Sequence, residues 1–306
     1  MNFTCPRDQS PLSDHASFLH CALCDTEYSK TANLYSFLTE PNTFYEGAYL
    51  NRVKFTGTGI KFFDRFVFWL INSGYLGKVQ HTFPQGSRLL ELGCAGGVNI
   101  FGKNFNMTGC DLSFSSLKQA ADIYDNCLYA NPLIGLPLPD NSLDGVISSF
   151  FWEHLDGLEK KRCLKELHRV LKPGGKIVFL YDDETDNPLI RYFKKQNLSL
   201  YQEHFLDQDG HIGYESVSDN MAHFEEGGFS IVKNLALQKT FVLEPSMYHK
   251  FTFWNSHSFV FRILAKLGGS YFFKPFLLLI RICDTLFAFL PDSWARITLT
   301  IAEVKK

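Results

Sequence analysis

The chain has 306 residues, a formal net charge of -2, a pI of about 6.5 and 45% hydrophobic residues, enough for one large domain with additions. So balanced a charge argues against a polyanionic partner such as nucleic acid, which asks for a basic surface. The N-terminus, Met1-Asn2-Phe3-Thr4-Cys5-Pro6-Arg7, has no apolar export segment. A cytoplasmic chain is therefore expected, with its eight cysteines as thiols or metal ligands rather than disulfides.

Residues 1–40 read as a small module. Cys5-Pro6-Arg7-Asp8 and Cys21-Ala22-Leu23-Cys24 are two knuckles with a short strand expected between them, the layout of a zinc ribbon. Asp8 stands where a second cysteine would be. The candidate ligands of a structural zinc are Cys5, Asp8, Cys21 and Cys24; His15 or His20 in place of Asp8, or a fold kept without the metal, stay open. A closed four-ligand site leaves no position for substrate, so the role expected is structural. The segment resembles the zinc-ribbon domain that precedes many bacterial methyltransferases, with Tyr35-Ser36-Phe37-Leu38 closing it.

Residues 41–239 are expected to hold the catalytic core. Phe44-Tyr45-Glu46 begins a linker expected to cross the mouth of the site. A helix is predicted over Lys61 to Ile71, with Phe62, Phe66, Trp69 and Leu70 on one face packed on a sheet. Gly74 and Gly77 are expected to end it.

The stretch Leu89-Leu-Glu-Leu-Gly-Cys-Ala-Gly-Gly97 reads as an apolar strand, an acid and a glycine-rich turn. Gly93, Gly96 and Gly97 remove side chains where a backbone turns sharply or approaches a ligand. Such a turn is expected to offer free backbone N–H groups to a cofactor. The dinucleotide spacing G-x-G-x-x-G is not met. Glu91, two residues before the first glycine, would repel a pyrophosphate and suits a cationic cofactor. A second strand, Met107 to Ser113, carries Asp111, a carboxylate able to accept both hydroxyl protons of a ribose.

These residues resemble the motifs of class I S-adenosylmethionine (SAM) methyltransferases. The first is acid-x-Gly-x-Gly-x-Gly with Ala95 at the middle glycine; the second, Gly-x-Asp-(Leu/Ile)-Ser, is Gly109 to Ser113. Leu136-Pro-Leu-Pro-Asp-Asn-Ser-Leu-Asp144, Glu153-His154-Leu155 and Arg169-Val-Leu-Lys-Pro-Gly-Gly175 resemble three further passages of the family. The resemblance implies an α/β fold, a doubly wound seven-stranded Rossmann-like sheet, and SAM as cofactor. It places Glu91, Gly93, Cys94, Ala95, Gly97, Asp111, Leu112, Asn131 and Ser149 at the cofactor. Leu112 would lie against the adenine. Asn131 would replace, through its side-chain oxygen, the acid that usually meets the adenine amine. His154 would be either a general base or a packed structural histidine. Some relatives hold a divalent metal with Glu-x-x-Glu-His; Phe150 stands at the first Glu here, so no catalytic metal is expected.

Beyond Tyr181, the polar run Asp182 to Asn187 is a solvated loop or the rim of an acceptor pocket. His204 and His211 are candidate pocket residues. A helix from Ser216 to Glu226 precedes a strand beginning near Phe229, and Ala295 to Val304 alternates like a half-buried final strand, placed in 291–306. Residues 240–290 are then an insertion, read as an aromatic-rich helical lid. They hold ten of the 30 Phe, with five basic and two acidic residues, and no apolar run of the ~20 residues that spans a bilayer. Core packing, an apolar acceptor pocket or peripheral membrane contact would each account for them. The function expected is methyl transfer to a small or lipid-linked acceptor, O-methylation favoured. An rRNA guanine-N methyltransferase and a non-catalytic SAM-binding scaffold are the alternatives.

Overall fold

The computed structural model describes residues 2–38, 44–46, 54, 60–255, 257–270 and 272–306. The first elements are four short strands, β1 (Ser13–Asp14), β2 (Phe18–Cys21), β3 (Thr26–Thr31) and β4 (Leu34–Ser36). They form antiparallel pairs β1·β2, β2·β3 and β3·β4. The unforeseen feature is the fate of β4. It pairs in parallel with an edge strand of the main sheet, Leu34 to Cys127 and Ser36 to Tyr129, so the ribbon prolongs that sheet.

After the ribbon come α1 (Lys61–Leu70), a 3-10 turn (Ile71–Gly74) and α2 (Tyr75–Thr82). Gly74, at φ +80, makes the turn between the helices, whereas Gly77 lies inside α2. The expected packing of α1 on the sheet is not what forms. Phe62 and Phe63 are 82% and 52% exposed, while Phe68 and Leu70 are buried toward α2 and α11. The aromatic face points away from the sheet because α2 already covers it, burying Tyr75, Leu76 and Val79.

The core then alternates β5 (Arg88–Leu92), α3 (Asn99–Asn104), β6 (Asn106–Asp111), α4 (Phe114–Ala120), β7 (Asn126–Tyr129), β8 (Leu143–Ser149), α5 (Gly157–Val170) and β9 (Leu171–Asp182). Alternation of this kind produces a parallel sheet. α5 opens with a capping box: Asp156 accepts the N–H groups of Leu158 and Glu159, and Glu159 accepts that of Asp156 at 3.0 Å. There follow α6 (Pro188–Gln196), α7 (Leu198–Tyr201), a π-helical turn (Gln202–Asp207), α8 (Val217–Glu226), β10 (Phe229–Leu237), α9 (Pro245–Phe251), α10 (Phe259–Lys266), α11 (Phe273–Leu286) and β11 (Ile297–Val304).

The sheet order is β1-β2-β3-β4-β7-β6-β5-β8-β9-β11-β10. From β4 to β9 the neighbours run parallel; β11 is antiparallel to both β9 and β10. The chain reverses its direction of travel between β5 and β8, the crevice where an open α/β sheet binds ligands at its strand ends. Two buried clusters cover the faces of the sheet. A third, around Phe193, Tyr201, Phe205, Tyr248 and Phe251, joins α6, α7 and the following turn to α9.

Candidate active site

β5 ends at the turn that sequence placed at the centre. Gly93, Ala95 and Gly97 take φ of +63, +44 and +79. At Gly97 a Cβ would also come within 2.9 Å of Ile123 Cδ1, so glycine is needed twice over. Ala95 is more than an added methyl, since an L-residue in the left-handed region carries about 1 kcal/mol of strain.

The N–H groups of this turn are not free, which corrects the expectation. Those of Gly93 and Cys94 donate to the Cys110 carbonyl at 2.9 and 3.3 Å. That of Ala95 donates to Asp111 Oδ2 and that of Val98 to the Tyr124 hydroxyl, both at 2.8 Å. Gly97 donates to the Cys94 carbonyl. The turn is therefore no anion nest, as suits a cationic ligand.

The two carboxylates are fixed by the same bonds. Asp111 Oδ1 accepts the Ser113 N–H at 2.8 Å and Oδ2 that of Ala95, leaving each oxygen a lone pair for a ligand. Glu91 is buried, and the Tyr124 hydroxyl donates to its Oε2. Burial pushes Glu91 up to about 8, the Tyr124 hydrogen bond opposing this. Burial also raises Asp111 above the usual carboxylate range. Tyr124, which ties loop to carboxylate, was not singled out from sequence: it lies beyond the helix end, with no motif around it.

Glu91, Gly93, Cys94, Ala95, Gly97, Asp111, Leu112, Asn131, Ser149 and His154 all line one cavity of about 740 Å³. Asn131 Oδ1, assigned above to the adenine amine, already accepts the Leu133 N–H at 2.9 Å, so that oxygen is committed in part to a turn. Cys94 is buried with its sulfur beside Gly109, where a Cβ would come within 2.7 Å of it. The cavity suits SAM on its own chemistry: carboxylates for a sulfonium and ammonium, apolar Leu112 and Leu133, and a volume in the range of small-molecule sites.

Its other end is framed by Phe150, Phe151, Glu153, His154, Asp182, Asp209 and His211. Phe150 sits at φ +57, a strained position for an aromatic residue just after β8. His154 Nδ1–H donates to the Gly210 carbonyl at 3.0 Å, and burial lowers its pKa, so its Nε2 carries the lone pair. His211 stands beside it, ring centroids 5.3 Å apart, with burial pushing its pKa down to about 4. His204 does not reach the cavity; it stacks on Phe253 at 3.7 Å. Tyr45 lines the mouth, and Glu46 caps α4 by accepting the N–H groups of Phe114 and Ser115. No described residue of 240–290 lines the cavity, so in this conformation the helical insertion is not its lid.

Outside the lining of this cavity, the ribbon gathers Cys5, Asp8, Cys21 and Cys24, with one donor atom from each within 4.8 Å of the others. The Cys5 and Cys24 sulfurs are 3.6 Å apart, and Cys21 Sγ is 3.3 Å from Asp8 Oδ2. The fourth position is Asp8; His15 and His20 stay out of the set.

Residues 90–179 match the family described as "Methyltransferase domain". A demethylmenaquinone methyltransferase of Listeria welshimeri is 26% identical over 198 residues, 57% of this chain and 81% of that protein. One of Staphylococcus epidermidis is 34% identical over 128 residues, 38% of this chain and 50% of that protein. Phosphoethanolamine N-methyltransferase 2 of Haemonchus contortus, solved with S-adenosyl-L-methionine, superposes with a TM-score of 0.50 at 16% identity, covering 80% of this chain and 57% of that one. This last likeness speaks for the fold.

Proposed function

This chain is a SAM-dependent methyltransferase, and we propose that it methylates an oxygen of a small or lipid-linked acceptor. The observation that carries the proposal is the single cavity running from Glu91 and Asp111 to His154. Donor and acceptor held in one cavity react as parts of one complex, which supplies much of the acceleration. SAM supplies a methyl on a sulfonium that brings its own leaving group. Asp111 is assigned to the ribose hydroxyls and Glu91 to the ammonium. His154, neutral at pH 7, takes the acceptor's hydroxyl proton at Nε2.

Lipid linkage is supported by the surface. α10 has no buried residue, and Phe259, Phe272, Ile282 and Leu286 stand exposed on α10, α11 and the turn between them. Among the described residues from 257 to 283 there is no acid, while Arg262, Lys266 and Lys274 are exposed. Among the described residues no single helix is long and apolar enough to cross a membrane, though Phe259–Gly269 and Phe273–Leu286, bent by 108°, pass that test as a pair by length and composition. We assign this face to an anionic bilayer surface. Flotation with vesicles containing anionic phospholipid, lost in Phe259→Asp/Phe272→Asp, is expected; no flotation with any vesicle removes the assignment.

A second reading has a specific support: the Listeria and Staphylococcus relatives are named for demethylmenaquinone, which points to a quinone-type acceptor. Incubation with SAM and paired phenol, quinol and isoprenoid-quinol acceptors, with the product methyl located by NMR, separates the two. An O-methyl product is expected. A methyl on ring carbon replaces the oxygen reading, and SAM binding without product from any acceptor favours a scaffold. For the ribbon we propose a structural zinc on Cys5, Asp8, Cys21 and Cys24. About one zinc per chain by atomic absorption, lost in Cys21→Ser, is the expected result, and a zinc-free folded ribbon removes it.

A further inference from the structure

The aromatic face of α1 is used neither by the sheet nor by the cavity. Phe62, Phe63 and Phe66 are all exposed. At about 100° per residue they share one side of the helix, with half-buried Asp64 on the other. Grouped apolar side chains in water, rimmed by polar ones, mark an interaction surface.

The stripe runs on into α11. The Trp69 ring lies 5.9 Å from that of Phe66 and carries the Arg281 guanidinium of α11 at 5.7 Å. Arg281 is buried and paired with Asp284 at 2.6 Å, so the junction of the two helices adds no unpaired charge. Gly74 leaves room for it, since a Cβ there would lie 3.3 Å from Arg281 Nη2. Beyond the junction α11 exposes Leu279, Ile282 and Leu286. Two distant stretches of the chain thus build one apolar face.

The charge around this face points to its occupant. Arg65 is exposed on α1, as Arg262, Lys266 and Lys274 are on the α10–α11 pair. A second copy seated here about a two-fold axis would set one basic rim against the other. Phenyl rings rimmed by arginine and lysine match instead the boundary of an anionic leaflet. There the rings enter the acyl region and the cations meet lipid phosphates.

We propose that Phe62, Phe63 and Phe66 of α1 insert into an anionic bilayer as a second docking element beside α10 and α11. The proposal rests on the bilayer assignment made above for α10 and α11, and not on the identity of the acceptor. Two elements of one chain engaging together strengthen each other, so removing either weakens the whole sharply. They also fix the orientation of the chain on the membrane, where one alone would let it pivot.

The test measures sedimentation of the full chain with vesicles of phosphatidylcholine and phosphatidylglycerol. Phe62→Ser/Phe63→Ser is compared with wild type and with Phe259→Asp/Phe272→Asp. The α1 variant is expected to bind at least about tenfold more weakly than wild type, with S-adenosylhomocysteine affinity kept. In Phe63→Trp, brominated lipid is expected to quench fluorescence beyond the quenching of wild type. Undiminished binding by the α1 variant, or no added quenching in Phe63→Trp, overturns the proposal. If Phe259→Asp/Phe272→Asp alone loses binding, the assignment of α10 and α11 stands without α1. Wild type that binds no vesicle strikes that assignment and the proposal together. A wild-type dimer by light scattering that the α1 variant turns into monomer gives the face to a second copy and overturns the proposal. If near-UV circular dichroism shows the double variant unfolded, the quenching in Phe63→Trp decides alone.

Discussion

At the end of the cavity lined by Glu91 and Asp111, the turn and the carboxylates hold each other. Asp111 bridges the turn and the start of α4, and Tyr124 joins Val98 to Glu91. At the end lined by Glu153, Asp182 and His211, Arg296 meets one oxygen of Asp182, while the other, both Glu153 carboxylate oxygens and His211 Nδ1 are buried with no hydrogen-bond partner among the described residues. The first end is preorganised for a ligand whose chemistry never varies. The second is neutralised only in part, by Arg296 on Asp182, and leaves buried polar atoms for a ligand to answer. The difference shows that burial alone does not define a site; how far the buried groups have already answered one another does.

The sharpest way to break this comparison is Gly213→Ala. The new Cβ cannot coexist with the Leu155 carbonyl, so the loop carrying His211 must move. Methyl transfer is expected to drop by about 100-fold, on the scale of an ångström-sized misplacement, with SAM affinity within about twofold. A parallel fall in SAM affinity by calorimetry would show that the two ends are not independent.

The opposite cut is Asp111→Ala. It removes the acceptor of the Ala95 and Ser113 N–H groups together with the assigned ribose contact. SAM affinity should weaken by about 1.5 kcal/mol or more, roughly tenfold, as for lost charged hydrogen bonds. Unchanged calorimetric affinity would take Asp111 out of the site.

The smallest effect is a pH slope. Glu91 titrates near 8 in the free protein, against an ordinary 4.5, because of its burial. Between those values the free chain holds a proton there that an unfolded chain has released, so this group's contribution to stability falls as pH rises from 4.5 to 8. A bound ammonium favours the ionised form and expels the proton. SAM affinity should thus rise with pH, by at most about tenfold per unit, and level off above 8. Calorimetry near pH 7 in two buffers of different ionisation enthalpy counts the released proton. A flat profile with no release would mean that Glu91 does not meet the cation.

The parallel core was legible because its strands, turns and acids recur in register along the chain: Glu91 and Asp111 stand at strand ends, and Lys172-Pro-Gly-Gly175 leads into the apolar part of β9. What stayed hidden depends on partners distant in sequence. Nothing near Leu34 announces pairing with Cys127, and Tyr124 has no local pattern that reveals its bond to Glu91. His211 looked like His204, two loop histidines of equal promise; the anchoring of the loop at Gly213 separates them. The aromatic face of α1 was misplaced because periodicity marks an apolar stripe but not what covers it.

The ribbon's β4 has a further consequence. Without it, Asn126–Tyr129 would be the outermost strand of the parallel sheet, a raw border of hydrogen-bonding groups inviting neighbouring molecules to stack on. A module that looks detachable on paper is thus the hem of the fabric, and a shortened chain should turn up in the insoluble pellet.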